Sequence, residues 1–285
     1  MHNKMTSLFR CPLCGAPLER DASACRCPAG HSFDIAREGY VYLLPVNRRH
    51  SLAPGDDPAM AAARRAFLDT GAYAPLRDAL CALALEHTPP APVVLDSGCG
   101  EGYYTAGIYQ ALLRAGRTPR MAGIDISKPI LRCAAKRERG VEFAVASARR
   151  LPLADGCADL LLDCFSPLET EEFRRVVRPG GTFLYVVPGP EHLWELKQVL
   201  YDRPYLNEER EIPYPGFACR TVVPVETTLH LETPADIRNL FGMTPYCWKT
   251  PGAGVARLEA LTALTVRASF RIHVFRRDSG PGEKI

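Results

Sequence analysis

The sequence predicts an α/β protein: a mostly parallel sheet with helices on both faces, preceded by a small metal-binding module. Three observations carry this expectation. Side chains able to ligate a metal cluster between Cys11 and His31, a glycine-rich loop spans residues 98–102, and short apolar runs alternate with longer amphipathic ones from Val93 onward. With 285 residues, 47% hydrophobic and 24% charged, the chain can bury one large core and a smaller satellite.

Taken in order, residues 1–46 form the first unit, whose alternating run Gly39 to Pro45 reads as a strand that closes the module. Residues 47–92 read as a linker and helical segment. In Pro54-Gly55-Asp56-Asp57-Pro58 the carboxylate of Asp57 suits a helix N-cap and Pro58 the first helical position, so a helix is expected over Ala59 to Asp69. Residues 93–285 form the sheet domain. Strands are expected at Val93–Asp96, Met121–Ile126, Val141–Ala146, Asp159–Phe165, Gly181–Val187, Thr221–Leu229 and Ser269–Phe275. Helices are expected at Tyr103–Ala115, Pro129–Arg139, Glu169–Val177, Glu191–Tyr201 and Pro234–Phe241, with a loop-rich stretch up to Cys219.

Composition narrows the function classes. No run reaches the roughly 18 apolar residues that a spanning helix needs, and Met1 to Ser7 leads into no apolar leader core, so a cytoplasmic protein without a membrane partner is expected. Eleven cysteines, an odd number scattered among apolar segments, suit reduced thiols plus a metal site better than a disulfide framework. The net charge is +3, and residues 1–50 carry seven Lys/Arg against four Asp/Glu, which accounts for all of it. A phosphate-rich partner would therefore be held by local patches such as Arg48-Arg49 and Arg64-Arg65, which otherwise are a solvated face; no DNA partner is expected.

In the first unit, Cys11-Pro-Leu-Cys14 places two thiolates across one tight turn, and Cys27-Pro-Ala-Gly-His31 adds a thiolate and an imidazole from a second. Such a set, with no open position, suits one tetrahedral structural Zn2+, and metal binding would supply folding free energy to a module too small for its own core. Cys25 is a spare thiol that could replace Cys27, although the turn from Cys27 to His31 is the more compact. Unrelated thiols are the competing explanation.

The loop Leu95-Asp96-Ser97-Gly98-Cys99-Gly100-Glu101-Gly102 follows an apolar run and opens a helix, the setting of a nucleotide-cofactor turn. Asp96 and Glu101 would repel a pyrophosphate but attract the sulfonium and ammonium of S-adenosylmethionine, so Asp96, Gly98, Gly100, Glu101, Gly102 and Tyr103 are candidate cofactor residues. Asp125 ends the next strand where an acid can accept from ribose hydroxyls; a helix cap ahead of Lys128 is the alternative. Ser147, after the third strand, is placed for an adenine contact.

In chain order these features resemble one family, the bacterial 23S ribosomal RNA guanine-N1 methyltransferases. The resemblance covers nearly the whole chain: Cys11-Pro-Leu-Cys14, Cys27-Pro-x-x-His31, Phe33-Asp34-x-Ala36-x-Glu38-Gly39-Tyr40-Val41, Ala63-Arg64-Arg65-Ala66-Phe67-Leu68-Asp69, Gly98-Cys99-Gly100-Glu101-Gly102-Tyr103-Tyr104, Pro188-Gly189-Pro190-x-His192-Leu193 and Met243-Thr244-Pro245. It implies a class I methyltransferase fold, Rossmann-like with a mostly parallel seven-stranded sheet, behind a zinc-binding RNA-recognition module. It further implies a homodimer acting on a guanine N1 in a 23S rRNA hairpin loop, with the loop sequence pointing to the housekeeping branch rather than the one that protects against antibiotics. Cys11, Cys14, Cys27 and His31 then hold zinc, and the glycine loop with Asp125 holds S-adenosylmethionine. No fixed acid is carried over to Asp163.

Guanine N1 bears a proton at neutral pH, so transfer needs loss of that proton and in-line approach to the methyl carbon. Phe165, Ser166 and Pro167, at the end of the fourth strand, are candidates for the acceptor pocket. Tyr246 and Trp248 are candidates for base stacking, with core packing as the alternative. Asp163, His192 and His273 are candidate bases, each with a structural alternative: a capped turn, a helix start and a strand position. With no clear acid–base pair, positioning is expected to dominate. Two competing functions are a small-molecule methyltransferase and a non-catalytic RNA-binding protein with a degenerate cofactor loop.

Overall fold

The computed structural model describes residues 5–44, 58–209 and 214–279; Arg48-Arg49 and the Asp57 cap lie outside them. Four short strands, β1 (Met5–Arg10), β2 (Pro17–Arg20), β3 (Ala24–Arg26) and β4 (Ser32–Asp34), form an antiparallel sheet in the order β1-β2-β3-β4. Polar residues interrupt each of them and leave no apolar run, which is why the sequence resolves this unit only through its ligand turns.

The main sheet uses β5 (Val41–Tyr42), β6 (Val93–Ser97), β7 (Arg120–Asp125), β8 (Glu142–Val145), β9 (Ala158–Cys164), β10 (Val177–Pro188), β11 (Phe217–Leu231) and β12 (Leu264–Arg277). Their spatial order is β11-β12-β10-β9-β6-β7-β8-β5, parallel from β10 through β5 and antiparallel where β12 meets β10 and β11. The seven expected strands are all present. The eighth is a correction: Val41–Tyr42 was expected to close the metal module, yet beyond one bridge from Val41 to Ile35 it pairs parallel with β8. Val41 is fully buried, and the main sheet edge offers a larger apolar surface than the module does.

Helices α1 (Pro58–Asp69), α2 (Ala74–His87), α3 (Tyr103–Arg114), α4 (Lys128–Arg137), α5 (Thr170–Val176), α6 (Trp194–Leu200), α7 (Pro234–Gly242) and α8 (Gly252–Glu259) cover the sheet. Sequence periodicity resolved neither α2 nor α8 as an individual helix. Alternate residues of the central strands feed opposite faces: Leu160 and Leu162 join one buried cluster, Leu161 the other, and Leu184 and Val186 oppose Phe183 in the same way. The second cluster also contains Phe9, Leu18 and Cys25, so the small module shares a core with the sheet. Arg10 N–H donates to the Pro152 carbonyl at 2.7 Å and Leu8 N–H to Glu142 Oε1 at 3.0 Å across the same seam.

Strand order reverses at β6, which lies between β7 and β9. The chain leaves β6 toward one side of the sheet and β9 toward the other, opening a crevice at the strands' carboxyl ends. Among the described residues no helix is long and apolar enough to cross a membrane.

Candidate functional site

The metal centre is assembled by two turns. Gly15 N–H donates to the Cys11 carbonyl at 2.8 Å and Gly30 N–H to the Cys27 carbonyl at 3.0 Å, closing loops that aim their side chains inward. One ligand atom from each of Cys11, Cys14, Cys27 and His31 lies within 4.8 Å of all the others. Tetrahedral zinc with ordinary bond lengths requires S···S near about 3.8 Å and S···N near about 3.6 Å. The observed separations are 3.7 Å for Cys14 Sγ to Cys27 Sγ, and 3.5 and 3.4 Å from His31 Nδ1 to Cys11 and Cys27 Sγ. The donor set therefore fits Zn2+, with Nδ1 as the imidazole ligand. Cys25 is no ligand: it sits in the buried cluster, and burial pushes its thiol up to about 11.

A cavity of about 1950 Å³ runs from Arg10, Pro12 and Gly15 of the metal module, past Ser147, to the glycine loop and on to Tyr205, Tyr246 and Trp248. The loop is pinned by Gly98 and Cys99 N–H, which both donate to the Ile124 carbonyl at 2.9 Å. Gly98 takes φ of +79°, and a Cβ there would lie 2.3 Å from Cβ of Ser166, so no other residue fits. Asp125 accepts from Gly100 N–H at 3.1 Å and from Ser127 N–H at 2.8 Å. It does not cap α4, whose N-cap is Ser127 with no side-chain cap bond; it braces the two turns while lining the cavity.

Asp96 is buried and accepts from Thr105 Oγ1 at 2.6 Å through one oxygen; its other oxygen, like Oε1 of buried Glu101, has no hydrogen-bond partner. Burial raises both carboxyls, Asp96 to about 7 despite the Thr105 bond, with Asp125 and Glu101 adding to the rise. Carboxyl oxygens without partners beside a cavity suit a cationic ligand, as the ammonium and sulfonium of S-adenosylmethionine require. The residues present therefore fit that cofactor.

Of the candidate bases, only His192 lines the cavity. Its Nδ1 lies 2.8 Å from the Ser269 carbonyl, which can only accept, so Nδ1 carries the proton and Nε2 the lone pair. Burial lowers this imidazole to about 4, against the Ser269 bond. Asp163 lies wholly buried beneath the β9 turn, outside the cavity lining, accepting from Ser166 N–H at 3.1 Å. Its capped-turn explanation is the one observed. Desolvation, opposed by its Ser166 bonds, raises it to about 8. His273 is buried on β12, paired in register with Tyr185, a lining residue that stands between it and the cavity.

Phe165, Ser166 and Pro167 all line the cavity, and Phe165 is 47% exposed at a φ of +58°, a conformation bulky residues rarely adopt. Trp248 is 66% exposed, which removes core packing as its explanation, whereas Tyr246 packs against the core and lines the cavity as well. Arg64 lines the cavity while Arg65 faces solvent, its Nε 3.4 Å from Asp69, so the pair expected to act together is split. Sequence reasoning missed Tyr73, Lys197, Tyr205 and Asn207. Tyr73 sits between α1 and α2 with its hydroxyl buried and unpartnered at the cavity. No local pattern marks any of the four.

The amino-terminal residues 9–52 match a zinc-ribbon family profile described as RlmA, N-terminal, and residues 94–181 match the profile described as methyltransferase domain. A 23S rRNA (guanine(748)-N(1))-methyltransferase of Streptomyces fradiae is 35% identical over 95% of this chain and 98% of its own length. Two proteins provisionally described as 23S rRNA (guanine-N1)-methyltransferases are also similar. One, of Micromonospora griseorubida, is 37% identical over 97% of this chain and 99% of its own. The other, of Bacillus subtilis, is 31% identical over 91% and 94%.

The chain belongs to the 23S rRNA (guanine-N1)-methyltransferase family.

As a member of that family it is an S-adenosylmethionine-dependent methyltransferase with a zinc-ribbon amino terminus, and the four-residue cluster that fits a metal lies within the matched ribbon. The fold class, enzyme class and both cofactors expected from the sequence stand.

Proposed function

We propose that this enzyme transfers the methyl group of S-adenosylmethionine to N1 of one guanine in a hairpin loop of 23S rRNA, and that it works as a homodimer. Residues 1–46 serve as the RNA reader, 47–92 as the connector and 93–285 as the catalytic part. The observation that carries the proposal is similarity over the full length: relatives named for this reaction match the metal module and the sheet domain together. A single cavity reaching from Arg10 to the glycine loop supports it, since a small acceptor needs no such reach.

When bound, S-adenosylmethionine supplies an electrophilic methyl on a sulfonium. Asp96, Gly98, Gly100, Glu101 and Tyr103 would hold its amino-acid end, Asp125 the ribose, and the Ser147 side the adenine; Gly102, expected among them, lies outside the cavity lining, where a Cβ would meet Ala134 of α4 at 3.1 Å, and serves the turn instead. The unpartnered oxygens of Asp96 and Glu101 would be the acceptors for its ammonium, a cation that would favour the ionised form of both carboxyls. The guanine leaves its stack and enters beside Phe165, Ser166 and Pro167, with Tyr246 and Trp248 as stacking faces.

Positioning supplies most of the rate. Asp163 is screened from the cavity and carries its own proton at neutral pH, so it takes none from guanine. His192 lines the cavity with Nε2 carrying a lone pair, but at about 4 it is a weak base; it serves best by accepting a hydrogen bond from the base, which orients the guanine, while the N1 proton passes to solvent water.

The test is methyl transfer from labelled S-adenosylmethionine to unmodified 23S RNA, with nuclease mapping of the product and sedimentation of the enzyme. One labelled 1-methylguanosine in a hairpin loop, made by a sedimenting dimer, is expected. No label despite measured cofactor binding would replace this proposal with a small-molecule acceptor.

A further inference from the structure

Lys197 on α6 is fully buried, an unusual place for an ammonium. Its Nζ donates to the Tyr205 carbonyl at 3.0 Å and to Asn207 Oδ1 at 2.7 Å, and lies 4.7 Å from the Tyr205 ring centre and 5.7 Å from that of Tyr246. Among the described residues these partners include no carboxylate. A methionine would fill the volume without the cost of desolvating a charge, so the ammonium is retained for what its donors hold.

What they hold is one wall of the cavity. Tyr205, Asn207 and Tyr246 all line it, whereas Lys197 stands behind them. Tyr205 and Asn207 belong to an irregular segment, and Tyr246 to a one-turn 3-10 helix, Pro245–Trp248; neither has a strand or long helix to fix it. Asn207 extends the link: its N–H donates to the Pro190 carbonyl at 2.9 Å and its Nδ2 to the Gly189 carbonyl at 2.8 Å, tying the segment to the end of β10. The Tyr201 ring lies 5.8 Å from Tyr205 and 6.3 Å from Tyr246, filling the space between the two turns. Removing the ammonium would loosen exposed Tyr205 and the face of half-buried Tyr246 while leaving the glycine loop, pinned on β7, untouched.

We propose that Lys197 is a positioning residue for the acceptor nucleotide, fastening Tyr205, Asn207 and Tyr246 into a rigid face on which the incoming base stacks. This rests on the RNA acceptor proposed above and adds to it which residue builds the acceptor half of the cavity. A cation beneath two tyrosine rings holds them by cation–π attraction as well as by the backbone bond, so two turns distant in sequence move as one.

The experiment uses the full chain with zinc bound and compares wild type, Lys197→Met and Lys197→Arg. S-adenosylmethionine affinity is measured by titration, and kcat and KM are measured on 23S RNA. The expected result for Lys197→Met is cofactor affinity within about two-fold of wild type and kcat/KM on RNA lower by roughly 10- to 100-fold, as misplacement of a reactant by about an ångström produces. Lys197→Arg keeps the cation and recovers part of the loss; it also carries the test if the Met variant does not accumulate as folded protein. Equal losses of cofactor affinity and RNA turnover in either folded variant, or unchanged RNA kinetics in the folded Met variant, overturn the proposal. A wild-type enzyme that binds cofactor but leaves RNA unmethylated overturns the acceptor assignment itself, and the wild-type control alone reveals it.

Discussion

The metal ribbon and the cofactor crevice solve the same problem, holding a few polar groups in fixed geometry, by opposite means. The ribbon spans Met5 to Asp34 with few buried side chains and relies on four ligands brought together by two local turns. The crevice relies on a sheet buried on both faces, whose strand ends carry Asp96, Asp125 and the loop between them. Metal ligation tolerates a poor core because each bond is strong and local. The crevice needs a large core because its carboxyls are buried at a cost that packing must offset. The teaching is that removing a ligand breaks one region locally, whereas the other fails only when its backbone or its protonation is disturbed.

The sharpest break is at the metal. Chelation of zinc, or Cys27→Ala, forfeits metal binding of the order of 10 kcal/mol or more that folds the ribbon. RNA affinity in filter binding is expected to collapse while cofactor affinity, set by the other region, falls far less. Equal loss of both would mean that the shared core around Phe9 and Leu153 makes the ribbon a pillar of the whole fold.

Next comes protonation in the crevice. Asp163 sits at about 8 and Asp96 at about 7 in the folded chain against 3.8 when free, because burial disfavours their charged forms. Between those values the folded state holds protons that the unfolded state has lost, so their contribution is full below pH 3.8 and is lost as pH rises through about 8. Asp163→Asn should flatten this slope by up to about 1.4 kcal/mol per pH unit, read from urea unfolding at pH 5 and 8. Turnover should survive; near-complete loss of turnover with intact cofactor binding would make Asp163 a catalytic group after all.

Gly98→Ala probes the backbone of the crevice. A left-handed φ combined with a 2.3 Å approach to Ser166 should cost about 3 kcal/mol in unfolding free energy and weaken cofactor binding, with the ribbon's zinc affinity unchanged. A silent Gly98→Ala would mean the loop has another conformation. The smallest effect belongs to Arg65→Gln on exposed α1, where loss of the Asp69 pair should shift stability by less than about 0.5 kcal/mol. A larger loss of RNA affinity there would show that Arg65, not only Arg64, faces the substrate.

Legibility in the sequence followed the range of the interaction. The seven strands from Val93 onward were visible because each is long enough to show an apolar run, and the ligand turns because four or five residues suffice to define them. β1 to β4 were not, since polar residues interrupt each of them and leave no apolar run to mark a strand. The destination of Val41–Tyr42 was also hidden: its alternation announces a strand but not the partner, Val145, some hundred positions away. Among site residues, the glycine loop was legible through its spacing, while Tyr73 and Lys197 carry no motif and are recognisable only once burial and neighbours are known.

By itself, the sequence determined the candidate ligand set, the glycine loop, the strand order in the chain and the family, because each depends on groups a few residues apart or on long ordered motifs. Only the tertiary structure decided that His31 turns Nδ1 toward the thiol cluster, that Cys25 is core and outside that cluster, that Arg64 and Arg65 part company, that Asp163 lies beneath the cavity and not in it, and that a buried lysine stands behind one cavity wall. Those outcomes depend on desolvation and on contacts between segments tens of residues apart, which chain packing alone sets.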